Sequence, residues 1–283
     1  MSHLPVLIPN TVPQLSYLTA LPNDPPIARL IILHGYGDHA GRHAHVLQWM
    51  SDRGIAGFAP DFRGHGHSAG KPGVIHRWED YLSDLAAFLA LPQIAEPNPP
   101  LFILGHSHGG LITAAAGIKG LLDRCRGVIL VAPYLKLKLP VPIHKMLIAQ
   151  AASRLLPSLA IKSGLTGAML TRDQDMIAQG KNDPFVRGIA TPRWFTETRK
   201  KQKQVRAATE QFTLPLLLLL PGQDTVADPD VSNDFFDRVG STDKTIVNYP
   251  EHRHELLREI GREQIFATVL DWMTARLGRR TSF

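Results

Sequence analysis

Runs of branched and apolar residues at 30–33, 55–59, 101–104, 128–132, 216–220 and 245–247 constrain this chain more than any other feature. A run that is apolar at every position, instead of every second one, suits a strand covered on both faces. Between the runs, Ala44 to Asp52, Ile75 to Leu91, Gly110 to Leu122 and Arg262 to Leu277 carry apolar residues at the three- and four-residue spacing of helices. Strands and helices in alternation predict an α/β fold with a mostly parallel, doubly wound sheet. With 283 residues, 44% of them hydrophobic, the chain can bury one large core.

The alternation stops after Pro133. From there to about Phe212 no clear strand is legible, Pro140, Pro142, Pro157, Pro184 and Pro192 punctuate the chain, and helical patches such as Ile143 to Leu156 appear. This predicts a helical cap over 135–212, inserted into a core made of 1–134 and 213–283.

Other classes are excluded by composition. Pro5 and Pro9 interrupt the N-terminal apolar residues, so no export signal is expected. The longest apolar run, Leu214 to Leu220, contains Pro215 and falls far short of the roughly 20 residues that cross a bilayer. Cys125 is the only cysteine, which removes internal disulfides and cysteine-rich metal sites and fits a cytoplasmic protein. Net charge is +6, but the two basic clusters, Arg199 to Lys203 and Arg276 to Arg280, lack the interleaved aromatics of a single-strand binding surface. They read as solvated faces, and no nucleic acid partner is expected.

Gly105-His106-Ser107-His108-Gly109 directly follows the strand-like Leu101 to Leu104 and precedes a small-residue helix. A sharp strand-to-helix turn holds the serine in a strained backbone, and glycines two residues away on each side let neighbouring backbone approach. The helix start then offers amide N–H groups to a developing oxyanion. An ordinary glycine-bearing turn with a bystander serine is the plain alternative.

A serine hydroxyl is a weak nucleophile, so the reading requires an acid and a histidine base, in the order Ser, Asp, His. Asp224 lies in the loop beyond the strand Leu216 to Leu220, where the ligand-binding groups of open sheets collect, and it is nearer the strand end than Asp228 and Asp230. After the last strand, His252 and His254 both suit the base by spacing, and His254 is chosen. The oxyanion donors are expected to be the backbone N–H groups of His108 and of Tyr36, in the turn His34-Gly35-Tyr36-Gly37-Asp38. The paired histidines 43/45, 65/67 and 106/108 lack the His-Glu-x-x-His pattern, so no metal and no cofactor is expected.

These segments, with Asp61-Phe62-Arg63-Gly64-His65-Gly66-His67-Ser68, Asp224 to Asp228, Tyr249 to Leu256, and Leu170-Thr171-Arg172-Asp173 followed by Asn182-Asp183-Pro184, resemble the monoacylglycerol lipase and lysophospholipase group of α/β hydrolases over nearly the whole chain. The resemblance implies Ser107 as nucleophile, Asp224 as orienting acid, His254 in preference to His252 as base, and Tyr36 and His108 as oxyanion donors. It also implies a lipid ester as substrate. Asp61 to Ser68 is assigned to bracing loops. His108 departs from the pattern, since these lipases often carry methionine or another apolar residue there.

Met146 to Ala152 suits either an apolar acyl tunnel or the cap's own core, and both stay open. Arg193-Trp194-Phe195 and Arg199 to Lys203 suggest peripheral membrane contact through the cap. A short-chain carboxylesterase and a non-catalytic binding protein are the competing readings. An aminopeptidase would need acidic cap residues to hold a substrate amine, and this cap is predominantly basic.

Overall fold

The computed structural model describes residues 4–139 and 141–278. In chain order the elements are β1 (Val6–Ile8), β2 (Leu15–Ala20), β3 (Ala28–Leu33), α1 (Ala44–Ser51), β4 (Ile55–Asp61), α2 (Glu79–Leu89), α3 (Pro92–Ala95), β5 (Leu101–His106), α4 (His108–Ile118) and β6 (Gly127–Val131). There follow α5 (Ile143–Leu155), β7 (Ile161–Lys162), α6 (Gly167–Leu170), α7 (Gln174–Asn182), β8 (Ile189–Ala190), α8 (Pro192–Ala207), β9 (Leu216–Pro221), α9 (Pro229–Arg238), β10 (Lys244–Tyr249) and α10 (Arg262–Thr274).

Eight strands form one sheet in the order β1-β2-β4-β3-β5-β6-β9-β10. From β4 to β10 every pairing is parallel, and β1 and β2 add an antiparallel edge. This is the doubly wound sheet expected from the alternation, and each apolar run lies in a strand. In β3, Ile31 and Leu33 join one core layer with α2 and α4, while Leu30 and Ile32 join the other with α1 and α10. Complete burial of such side chains contributes about 1.5–3 kcal/mol each.

Three expectations change. The helix expected from Ile75 begins at Glu79, because the Asp80 carboxylate accepts the N–H groups of His76 and Arg77 and holds that stretch as a turn. Ile75 and Trp78 are nevertheless buried, so their spacing reported burial and not helix. The segment between β6 and β9 is mainly helical but includes the short antiparallel pair β7 and β8.

The basic clusters are not wholly solvated. Lys201 is buried, pairs with Glu79 at 2.7 Å and lies over the Trp78 ring. Arg276 is buried against Trp272 and pairs with Asp243, while Arg279 and Arg280 lie outside the described residues.

Candidate active site

The loops after β3, β5, β9 and β10 all leave the same carboxyl edge of the sheet, and they carry Tyr36, Ser107, Asp224 and His254. Ser107 stands between β5 and α4 with φ 52° and ψ −115°. That left-handed strain is costly for a side-chain-bearing residue and persists only where its surroundings enforce it. Here the Ser107 N–H donates to Val131 O at 3.0 Å, and its carbonyl accepts from Leu111 and Tyr134. A Cβ on Gly105 would run into Thr113 Oγ1 and the Gly109 carbonyl, and one on Gly109 into the Leu33 carbonyl and, at 2.7 Å, the His34 carbonyl. Both glycines are therefore required by close backbone packing.

His254 Nε2 lies 2.8 Å from Ser107 Oγ, and Nδ1 lies 2.7 Å from Asp224 Oδ2. The other carboxylate oxygen, Oδ1, accepts the N–H groups of Val226 at 2.7 Å and Ala227 at 3.0 Å, which fixes the plane of Asp224. Burial alone would push the His254 imidazole down. The charge and hydrogen bond of Asp224, with a smaller contribution from Glu255, outweigh burial and raise it above its ordinary value. The competitors lie apart: Asp228 caps α9 and pairs with Lys136, Asp230 is exposed, and the His252 ring packs on Tyr249.

Tyr36 and His108 line a cavity of about 470 Å³ together with Ser107 and His254. Neither of their N–H groups donates to another group among the described residues. The loop is close to the serine, since a Cβ on Gly35 would meet Ser107 Cβ at 3.4 Å. Its shape is set by neutral His34, whose Nδ1–H donates to Gly35 O at 2.7 Å while Nε2 accepts from the Phe62 N–H. Asp61 accepts from Ala40 N–H, His67 N–H and the Ser16 hydroxyl, in keeping with the bracing role of its segment.

The His108 side chain is buried among Tyr36, Tyr81 and Trp194, and burial holds it neutral. Trp194 corrects an expectation. It is only 6% exposed and stacks on Tyr36 with ring centroids 3.5 Å apart, so it cannot insert into a lipid surface. It ties the start of α8 to the Tyr36 loop instead.

One feature of the site has no counterpart in the sequence reading. Arg42 reaches both Glu255 oxygens, at 3.2 and 3.0 Å, and Asp38 Oδ1 at 3.0 Å, all of them buried. Arg258 lies 3.4 Å from Glu255, and the Glu255 N–H donates to Leu170 O at 2.8 Å. Residue 255 thus fastens the His254 loop to both the core and the inserted segment. The only sequence signal was an acidic residue beside His254, which names no partner 213 positions away.

The arrangement can pass a proton from Ser107 to His254 and present two N–H groups to an oxyanion, the parts acyl transfer needs. Residues 24–261 match the family described as Hydrolase_4, serine aminopeptidase, S33. An abhydrolase domain-containing protein of Dictyostelium discoideum is 30% identical over 93% of this chain, which spans 28% of that longer protein. The monoacylglycerol lipase of Mycolicibacterium smegmatis is 27% identical over 90% of this chain and 91% of its own length. A soluble variant of the Saccharomyces cerevisiae monoglyceride lipase, solved with a substrate analogue, shares the fold with a TM-score of 0.85 at 22% identity, covering 98% of this chain and 96% of that one. The chain therefore belongs to the Hydrolase_4 family of α/β hydrolases and is an ester hydrolase of the monoacylglycerol lipase-like group.

Proposed function

We propose that the protein cleaves carboxylic esters of single-chain glycerolipids, monoacylglycerols or lysophospholipids, through an acyl-enzyme on Ser107. His254 takes the serine proton and returns it to the leaving alcohol, then activates the water that releases the acid. Asp224 keeps Nδ1–H pointed away from the serine, so that Nε2 carries the accepting lone pair. The N–H groups of Tyr36 and His108 receive the oxyanion. The observation that carries this reading is the unbroken Ser107–His254–Asp224 contact opening into a cavity large enough for an acyl chain.

Leu137, Leu165, Leu170, Met176, Ile177 and Val226 line that cavity, which favours an apolar acyl group over a short soluble one. We assign 135–212 to a cap over a core of 1–134 and 213–283. Across a series of p-nitrophenyl esters alongside monoolein and a lysophosphatidylcholine, kcat/KM is expected to peak at medium or long acyl chains. A sharp maximum at acetate would instead favour a short-chain carboxylesterase.

Amine recognition is disfavoured by the same lining. Asp38 and Glu255 are its carboxylates, and the charge of each is balanced by Arg42, so the lining offers no excess negative charge to a substrate ammonium.

The cap also offers a membrane-facing element different from the one the sequence suggested. In α5, Ile143, Leu147 and Ile148 are 71%, 60% and 65% exposed, beside Lys145 and Arg154. This amphipathic surface suits peripheral attachment to an anionic bilayer. Co-sedimentation with vesicles containing phosphatidylglycerol is expected, and to weaken when Leu147 and Ile148 become serine. Equal recovery of both proteins in the supernatant would remove membrane contact from the proposal. No helix among the described residues is long and apolar enough to cross a membrane. The single Cys125 is buried, and burial pushes its thiol up to about 12.

A further inference from the structure

Behind the catalytic base lies a group of buried side chains that ester hydrolysis does not use. Asp38 follows β3, His43 ends the 3-10 turn Ala40–His43 before α1, and His106 ends β5. Each offers one ligand atom, and these atoms lie within 4.8 Å of one another. The residues are 4%, 1% and 4% exposed.

Their nitrogens are unpartnered where partners are expected. His106 Nε2 is 3.2 Å from the carbonyl oxygen of His254, which can only accept, so Nε2 carries the proton and Nδ1 holds a bare lone pair. That Nδ1 is buried without a partner, as are both ring nitrogens of His43. His43 Nε2 lies 3.3 Å from Asp38 Oδ2, an ion-pair separation without good hydrogen-bond geometry. Buried polar atoms left unpaired are costly, so several in one place point to a missing ligand.

The spacing suits a metal ion. Two ligands at about 2.0–2.1 Å from one tetrahedral ion stand about 3.4 Å apart, close to the His43–Asp38 separation. The outer contacts are those of metal ligands as well. His106 gives its other ring N–H to a backbone carbonyl, and Asp38 Oδ1 is held by His39 N–H at 2.9 Å and by Arg42, which leaves Oδ2 for the site. Two imidazoles and one carboxylate favour zinc or cobalt over magnesium or calcium. Arg42 and Arg258 are balanced by Asp38 and Glu255, so the surroundings add no excess negative charge to the site.

We propose that Asp38, His43 and His106 form a binding site for one divalent transition-metal ion, reached through the active-site cavity that Asp38 and His106 line. The bound ion draws the His106 ring toward Asp38 and away from the His254 carbonyl it supports. Occupancy therefore slows ester hydrolysis. The site is inhibitory and separate from the Ser107 chemistry, which needs no metal.

The test uses the full chain freed of metal by chelator and dialysis. Co²⁺ is titrated with its visible d–d absorption as the readout, Zn²⁺ by calorimetry, and p-nitrophenyl ester hydrolysis is followed in parallel. One equivalent of each ion is expected to bind, with Zn²⁺ lowering hydrolysis several-fold. His43→Gln and His43→Phe should keep metal-free hydrolysis within about twofold while losing the Co²⁺ absorption and weakening Zn²⁺ at least about tenfold, since each removes a direct ligand. Absence of binding to the unmodified protein, or equal binding by it and a folded His43 variant, would overturn the proposal. Because Co²⁺ absorption does not depend on turnover, its failure is distinct from failure of the hydrolase reading.

Discussion

Ser107→Ala is expected to lower kcat for ester hydrolysis by on the order of 10⁴ to 10⁶, by analogy with removal of a nucleophile from a serine triad. The effect is large because the substitution removes the attacking atom and leaves His254 with nothing to deprotonate. Alanine has no polar partner to lose beyond that contact, and the backbone bonds of residue 107 to Val131, Leu111 and Tyr134 remain. Substrate binding and the thermal midpoint should therefore change little. Initial-rate measurements on a p-nitrophenyl ester, with a melting curve as control, check both halves. Near-normal turnover would remove Ser107 from the mechanism.

Asp224→Asn is expected to cost about 10⁴ in kcat, the size seen when the orienting carboxylate of such a triad becomes an amide. The side-chain oxygen can still accept from Val226 and Ala227, but an amide NH₂ facing His254 favours the tautomer whose proton sits on Nε2. His254 must be neutral to act as base, and its pKa lies above the ordinary value, so kcat/KM of the native enzyme should fall as pH drops through a midpoint above about 6.5. Removing the Asp224 charge should move that midpoint downward. A pH–rate profile with the same acid limb in both proteins would show that the limb reports another group.

The inner parallel strands β3, β4, β5, β6 and β9 were legible because each is buried along its whole length, so their runs are largely apolar, whereas the edge strand β10 is only half-buried and shows as a three-residue run. The antiparallel edge was not, since β2 mixes Ser16 and Thr19 into its run and β1 has only three residues. Helix α9 escaped because its stretch is dominated by polar residues, and its start is set by the Asp228 side chain. At the site, spacing named Ser107 and Asp224 and narrowed the base to two histidines, and the structure brings Ser107, Asp224 and His254 into contact. Spacing could not separate His254 from His252, a choice made by resemblance. Contacts that depend on chain packing were invisible: Arg42 on Glu255, Lys201 over Trp78, and Trp194 on Tyr36 each join residues far apart in sequence. A tryptophan between an arginine and a phenylalanine looks like surface until its stacking partner is known.

The central claim is that Ser107 is a nucleophile activated by His254. Reaction with a fluorophosphonate probe, followed by peptide mass spectrometry, tests it most directly, because the probe needs the activated hydroxyl but no particular acyl chain. One adduct per chain, on Ser107, is expected, with labelling slowed severely by Asp224→Asn. An active, unlabelled protein, or an adduct on another residue with Ser107 unmodified, would contradict the account.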